Sequence, residues 1–264
     1  MSAEASLLAD EVRTDPLGRP PALRRSGRFS LIGVPLLLAG ALLVLWAWVS
    51  AQELDAIEAR TLNAEYVRTV VVEHLQLTFV AATLVVLIAV PIGVLLTRPR
   101  ARRLTPFALA IANGGQAVPA IGLLVLLTIQ FGVGFWIAIT GLVASSVLPV
   151  LRKTIAGVQQ VDPALVEAAR GMGLRPLQVL RRIELPLAVP VMLAGLRTAL
   201  VLCVGVATLA TFVDAGGLGG MIINGLKLQR TAVLVTGAVL SCAIAFFVDW
   251  LGAVVERALR PRGL

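Results

Sequence analysis

Six apolar segments divide this chain, and they constrain its fold more than any other feature. They run over about 31–51, 75–97, 106–130, 134–151, 188–213 and 232–256. Each is long enough, at roughly 18–25 residues, to cross a bilayer as a helix. In hydrocarbon every backbone N–H and C=O needs an internal partner, so repeated apolar spans mean helices. With 58% hydrophobic and 14% charged residues, and a mean hydropathy of +0.92, the chain carries too little polar surface for a soluble domain of 264 residues. The fold class expected is an all-α membrane protein, a polytopic bundle of about six transmembrane helices.

The charge distribution orients the bundle. Net charge is +8, but the basic residues flank apolar segments instead of forming a nucleic-acid face. Eighteen of the 23 Lys and Arg fall on one side: Arg13, Arg19, Arg24, Arg25 and Arg28; Arg98, Arg100, Arg102 and Arg103; six in 152–187; and Arg257, Arg260 and Arg262. Arg60, Arg68, Lys227 and Arg230 fall on the other, and Arg197 lies inside a span. The positive-inside bias makes both termini cytoplasmic. Residues 1–30, with three prolines and no apolar period, read as a disordered cytoplasmic tail, and 258–264 as a short second one. The segment 52–74, with Glu53, Asp55, Glu58, Glu65 and Glu73, reads as an external loop, and 75–257 as the transmembrane core. Val49-Ser50-Ala51 has the small-residue look of a cleavage site, but the apolar run before it exceeds a signal core, so an uncleaved anchor is expected. Trp46, Trp48 and Trp136 then sit near the outer interface and Trp250 near the inner one.

Between the fourth and fifth segments, 152–187 holds the longest charged stretch of the second half. Asp162 suits a helix N-cap and Pro163 the first helical position, so a short helix is expected from Pro163 to about Arg170. Leu165, Ala168, Ala169 and Met172 then share one face, with two alanines that let another surface come close. Gly171 and Gly173 allow a tight C-terminal turn. Pro176 starts a second helix with Leu177, Leu180 and Ile183 on one face, and Pro186 ends it or kinks the chain into the next span. The outcome is a helix-turn-helix bracket between two spans, shaped to dock a soluble partner.

The string Glu167-Ala168-Ala169, then Gly173, then Ile183-Glu184-Leu185-Pro186 matches the coupling-helix (EAA) signature of bacterial ABC importer permeases. Gln116-Ala117-Val118-Pro119-Ala120, Leu148 through Thr154, Arg197 through Ala210 and Ala215 through Gly219 resemble the osmoprotectant branch, which imports glycine betaine, carnitine or choline. Ala117 and Ala120 stand where that branch has hydroxyl residues, and Asp214 where a small residue is common. The resemblance covers about 70–257 and implies a type I importer permease (MetI-like) fold. It implies a transport subunit, not an enzyme, and no cofactor in this chain. ATP and Mg would sit on a separate ATPase; the partners would be two ATPase subunits, a second permease subunit, an extracytoplasmic binding protein and membrane lipid. It makes Glu167, Ala168, Ala169 and Gly173, with Leu165 and Met172, the ATPase-coupling residues. A compatible solute such as glycine betaine, choline, carnitine or proline betaine is the substrate implied; methionine, or another small amino acid or zwitterion such as ergothioneine, is the alternative.

Other residues carry narrower expectations. Asn113, Gly114, Gly115, Gln116 and Pro119 interrupt the third span, and polar groups at that depth line a cavity or bond a neighbouring helix. Asn113, Gln116 and Pro119, with Thr208 and Thr211, are the candidates for a translocation path. Arg197 and Asp249, charges inside apolar segments, are expected to pair or to snorkel. Gly216-Gly217-Leu218-Gly219-Gly220 mimics a phosphate loop but lacks a following Lys-Ser or Lys-Thr, and reads as a tight outer turn or external gate. Cys203 and Cys242 read as buried inert thiols, and a single histidine, His74 at the outer edge of the second span, allows no histidine metal cluster. No catalytic or metal-binding residue is expected. An intramembrane enzyme would want paired acids or a Ser–His arrangement within the spans, and a stand-alone channel would leave the bracket without a purpose.

Overall fold

The computed structural model describes residues 29–259. Of the expected tails, 1–30 and 258–264, all but residues 29–30 and 258–259 lie outside that range. The elements run α1 (Phe29–Ser50), α2 (Ala56–Thr61), α3 (Ala64–Leu96), a 3-10 turn (Arg102–Leu104), α4 (Thr105–Ala117), α5 (Ala120–Phe131) and α6 (Phe135–Gln159). They continue α7 (Pro163–Gly171), α8 (Pro176–Val179), a π turn (Leu180–Glu184), α9 (Leu185–Ala207), a 3-10 turn (Ala210–Val213), α10 (Gly219–Lys227) and α11 (Thr231–Leu259). Among the described residues five helices are long and apolar enough to cross a membrane, with α8 running through the π turn into α9 as one of them.

The sixth crossing departs from expectation. The stretch 106–130 is not one helix but two, α4 and α5, bent by 93° at a break. With 13 and 12 residues, each rises only about 20 Å, short of a hydrocarbon core of about 30 Å. Pro119 causes the break. It has no N–H to donate and forces the preceding residue out of the helical region, and Val118 is accordingly extended at φ −71°, ψ 129°. Only taken together are the two helices long and apolar enough to count as one span.

Boundaries differ too. α3 begins at Ala64, so much of the expected external loop 52–74 is helical. α6 runs to Gln159, which puts Arg152 and Lys153 on a helix inside the expected 152–187 loop. Asp55 caps α2: its Oδ1 accepts from the Ile57 and Glu58 N–H groups at 2.9 and 2.8 Å, and Glu58 Oε2 accepts from the Asp55 N–H at 3.2 Å. Asp55 also pairs with Arg230 in the α10–α11 turn. The Glu58 and Ile57 amides and Arg230 hold its carboxyl below the usual carboxylate value.

α6 is the central helix, packed by α9, α3, α4 and α5. Small residues permit this approach: a Cβ at Gly195 of α9 would lie 2.6 Å from Lys153 Cβ and 2.9 Å from the Pro149 carbonyl on α6. Two buried clusters stack along α6. One gathers Leu77, Leu124, Ile139, Leu142, Cys203 and Val213 toward the N-terminal end of α6. The other gathers Val85, Ala112, Leu148, Leu151, Ile155 and Ala199 toward its C-terminal end. Cys203 is buried, but Cys242 is exposed on α11, against the expectation for both thiols. An apolar stretch in a membrane chain faces lipid as readily as core, so its hydropathy does not tell the two apart.

Candidate functional site

The bracket is built from local signals. The Asp162 carboxylate accepts the Ala164 N–H at 2.9 Å, and Pro163 occupies the first turn of α7. At the other end the Gly173 N–H donates to the Arg170 carbonyl at 2.9 Å and the Leu174 N–H to the Ala169 carbonyl at 3.2 Å, the paired bonds of a Schellman cap. That cap requires a left-handed residue, and Gly173 supplies it at φ 82°. Gly171 stays inside α7 and makes no turn. α8 starts where the Arg175 N–H donates to Gln178 Oε1 at 2.8 Å.

The faces divide differently from the expectation. Ala169 is 1% exposed and turns inward with Val179. Leu165, Met172 and Leu177 stand 49%, 73% and 58% exposed, and Glu167 and Ala168 are exposed beside them. Of the four residues expected to share one face, Ala169 anchors the bracket and the other three present it. Leu177 is exposed, whereas Leu180 and Ile183, expected on the same face, are half-buried. Large apolar side chains are thus left open on and beside a short, capped helix.

Pro186 neither ends nor sharply breaks the helix that follows. In α-helical spacing its ring would meet the Arg182 carbonyl. The π turn relieves this, with the Leu185 N–H donating to the Leu180 carbonyl five residues back. Glu184 lies within that turn, 7% exposed. Arg98, just past the end of α3, grips it as a fork: Nη2 bonds Oε2, and Nη1 donates to Oε1 at 3.3 Å. The Arg98 guanidinium is steadied by Thr97 Oγ1, 2.9 Å from Nη2. Sequence reasoning treated Arg98 only as an orientation charge and Glu184 only as a member of the Ile183–Pro186 signature string, and did not pair them. The available signal was a lone acid at the head of a span, amid arginines.

Arg197 and Asp249 lie together. Arg197 Nη2 donates to Asp249 Oδ1 and Oδ2 at 2.8 and 2.9 Å, and Nε to Oδ1 at 3.1 Å. Nη1 also reaches Glu256 Oε2 at 3.1 Å, two helical turns further along α11, a partner the sequence reading missed. Gly252 between the two acids makes the room, since a Cβ there would overlap Arg197 Cγ.

The five candidate path residues fall in two places. Asn113, Gln116 and Pro119 are exposed on this chain around the α4–α5 break. Asn113 Oδ1 accepts from Arg152 Nη2 of α6 at 2.7 Å. Thr208 ends α9, with its hydroxyl donating to the Gly205 carbonyl at 2.7 Å, and half-buried Thr211 sits in the 3-10 turn beyond it. There the glycine-rich stretch closes on α3. Gly216 and Gly217 are left-handed at φ 78° and 88°, and a Cβ at Gly219 would overlap the Thr208 carbonyl. The turn covers His74, which is fully buried and not at an exposed edge.

Three comparisons bear on this arrangement. The family described as "Binding-protein-dependent transport system inner membrane component" matches residues 89–261. The carnitine transport permease protein OpuCD of Listeria monocytogenes is 42% identical over 163 residues, 61% of this chain and 73% of that one. The choline transport system permease protein OpuBD of Bacillus subtilis is 42% identical over 161 residues, 61% of this chain and 71% of that one. Among solved structures, an inward-facing form of the MetNI methionine ABC transporter matches with a TM-score of 0.65 at 27% identity, covering 74% of this chain and 96% of that one.

Proposed function

The chain belongs to the binding-protein-dependent transport system inner membrane components, and from that premise we propose that it imports a compatible solute of the quaternary-ammonium class. It is the transmembrane permease subunit of an ABC importer and has no enzymatic role of its own. Relatives named for carnitine and choline, at 42% identity, favour choline, carnitine or glycine betaine over methionine, whose transporter is 27% identical.

The observation that carries the coupling mechanism is the bracket: a helix capped at both ends, turning Leu165, Ala168 and Met172 outward beside Glu167. This face seats in a groove of a separate ATPase, which binds ATP and Mg. Ala169 and Gly173 keep the helix rigid, so a movement of the groove arrives as a rigid-body displacement. The functional complex pairs two permease subunits with two ATPase subunits and an extracytoplasmic binding protein that delivers solute. Both termini are cytoplasmic, in keeping with the skew of Lys and Arg.

Asn113, Gln116 and Pro119, exposed on a single chain at the break, face the route between paired permeases, with Thr208 and Thr211 nearer its outer end. Arg197 and Asp249 are a structural ion pair. ATP-dependent uptake of labelled choline, carnitine and glycine betaine into proteoliposomes holding permease, ATPase and binding protein tests the reading. Accumulation of at least one of them is expected. Accumulation of labelled methionine alone would overturn the substrate class.

A further inference from the structure

We propose that Arg98 and Glu184 are positioning residues for transport: a latch through which the stroke received by the bracket is shared with α3. This rests on the coupling role argued above, and goes beyond it by naming the joint.

The covalent route from the bracket into the membrane runs through the π turn, Leu180–Glu184. There the α-helical ladder is interrupted, and a push on α7 and α8 would be spent in local distortion before reaching α9. Glu184 is the last residue of that turn. It occupies the N-cap position of α9 yet makes no capping bond with its side chain. Its carboxylate instead points across to Arg98, which holds both oxygens. The side chains are 31% and 9% exposed, so the acid is the buried partner and the arginine the clamp. Arg98 is itself fixed, with Nε within 3.4 Å of the Val94 carbonyl and 3.2 Å of Thr97 Oγ1. A two-bond fork transmits direction as well as force, which a single contact does not.

What Arg98 is attached to gives the latch its reach. α3 is a continuous helix of 33 residues, about 50 Å long. Within its N-terminal third, Glu73 Oε2 accepts the Gly217 N–H at 2.8 Å. That same turn follows the outer end of α9, and Gly219 lies against the Thr208 carbonyl. α3 is therefore tied at two levels: by Arg98 to Glu184 at the head of α9, and by Glu73 to Gly217 in the glycine turn that follows α9. Displacing the bracket with the latch closed carries both helices and the outer glycine turn together. With the latch open, the bracket still docks, and nucleotide hydrolysis continues, but less of the movement reaches the outer face.

The experiment measures labelled choline, carnitine or glycine betaine (whichever the unmodified complex takes up) imported per ATP hydrolysed in proteoliposomes. E184Q and, separately, R98Q are expected to lower that ratio about fivefold or more, with ATPase subunits still bound. Exchanging the charges, Arg98→Glu with Glu184→Arg, is expected to recover much of it. A merely structural pair would change the yield of assembled complex and leave the ratio alone. A ratio for E184Q within about twofold of the unmodified complex would overturn the latch. Should E184Q not assemble, Arg98→Cys with Glu184→Cys, in a chain with Cys203→Ala and Cys242→Ala, gives the same reading. Joined by a short bis-thiosulfonate spacer it is expected to transport at the unmodified ratio, and after reduction at the lowered one. Transport lost on joining and regained on reduction, or a normal ratio in the reduced form, would overturn the proposal. An unmodified complex that shows no ATP-driven uptake would instead contradict the coupling role itself.

Discussion

The Glu73 carboxylate on α3 accepts a hydrogen bond from the Gly217 backbone N–H at 2.8 Å, across 144 positions of sequence. Gly217 is buried, so Glu73→Ala leaves its N–H without a partner and is expected to cost about 1–3 kcal/mol. Gly217→Ala keeps the bond but places a side chain at φ 88°, 3.3 Å from His74 Nδ1. The left-handed backbone alone costs about 1–2 kcal/mol. Thermal unfolding of both variants in detergent micelles checks this, with both expected to melt lower than the unmodified chain.

Gly171 and Gly173 separate cleanly under substitution. A Cβ at either meets nothing within 4 Å, so packing does not distinguish them. Gly173→Ala forces an L side chain to φ 82° and is expected to cost about 1–2 kcal/mol, while weakening retention of the ATPase. Gly171→Ala lies in ordinary helix and is expected to stabilise by about 0.5–1 kcal/mol. Unfolding temperature together with ATPase co-purification reads both.

These two glycines also mark how far the sequence could be read. The helix start at Asp162 and Pro163, the glycine after the EAA string and the six apolar stretches are local signals, and each has a local structural counterpart. What escaped depends on direction and on distant partners. Hydropathy averages over 106–130 report enough apolar length for a span, but say nothing of the 93° bend that Pro119 imposes. The π turn that accommodates Pro186 depends on a choice of hydrogen-bond register, which no residue in it announces. Arg98 finds Glu184 across 86 positions, and Arg197 finds Glu256 across 59, spacings that no helical period encodes. His74 sat at the edge of an apolar run, yet the glycine turn folds over it and buries it.

Arg197 and its two acids should behave as a unit. In a double-mutant cycle, Arg197→Ala and Asp249→Ala are expected to be non-additive by about 0.5–3 kcal/mol. Additive losses would argue against a working pair. Gly252→Val, which pushes into the Arg197 stem, is expected to cost about 1–3 kcal/mol by overpacking. Denaturant titration of the purified permease measures all three.

The acid sensitivity of the α2 cap has a definite sign. The Asp55 carboxyl is held below its ordinary 3.8 by the Glu58 amide first, and also by the Ile57 amide and Arg230. A depressed carboxylate contributes stability that is complete above its unfolded value and is lost as pH falls through the folded one. The stability difference between the unmodified chain and Asp55→Ala is therefore expected to be flat above pH 3.8 and to shrink below it. Unfolding temperatures across that range, for both chains, provide the check.

The most direct test of coupling through the bracket combines docking and transport in one preparation. Leu165→Asp with Met172→Asp charges two of the side chains that α7 and its cap turn outward, and leaves Ala169 and the Schellman cap in place. The expected result is a permease that unfolds at its usual temperature, no longer retains the ATPase and supports no ATP-driven solute uptake. Retention of the ATPase and uptake at the unmodified rate would contradict the account.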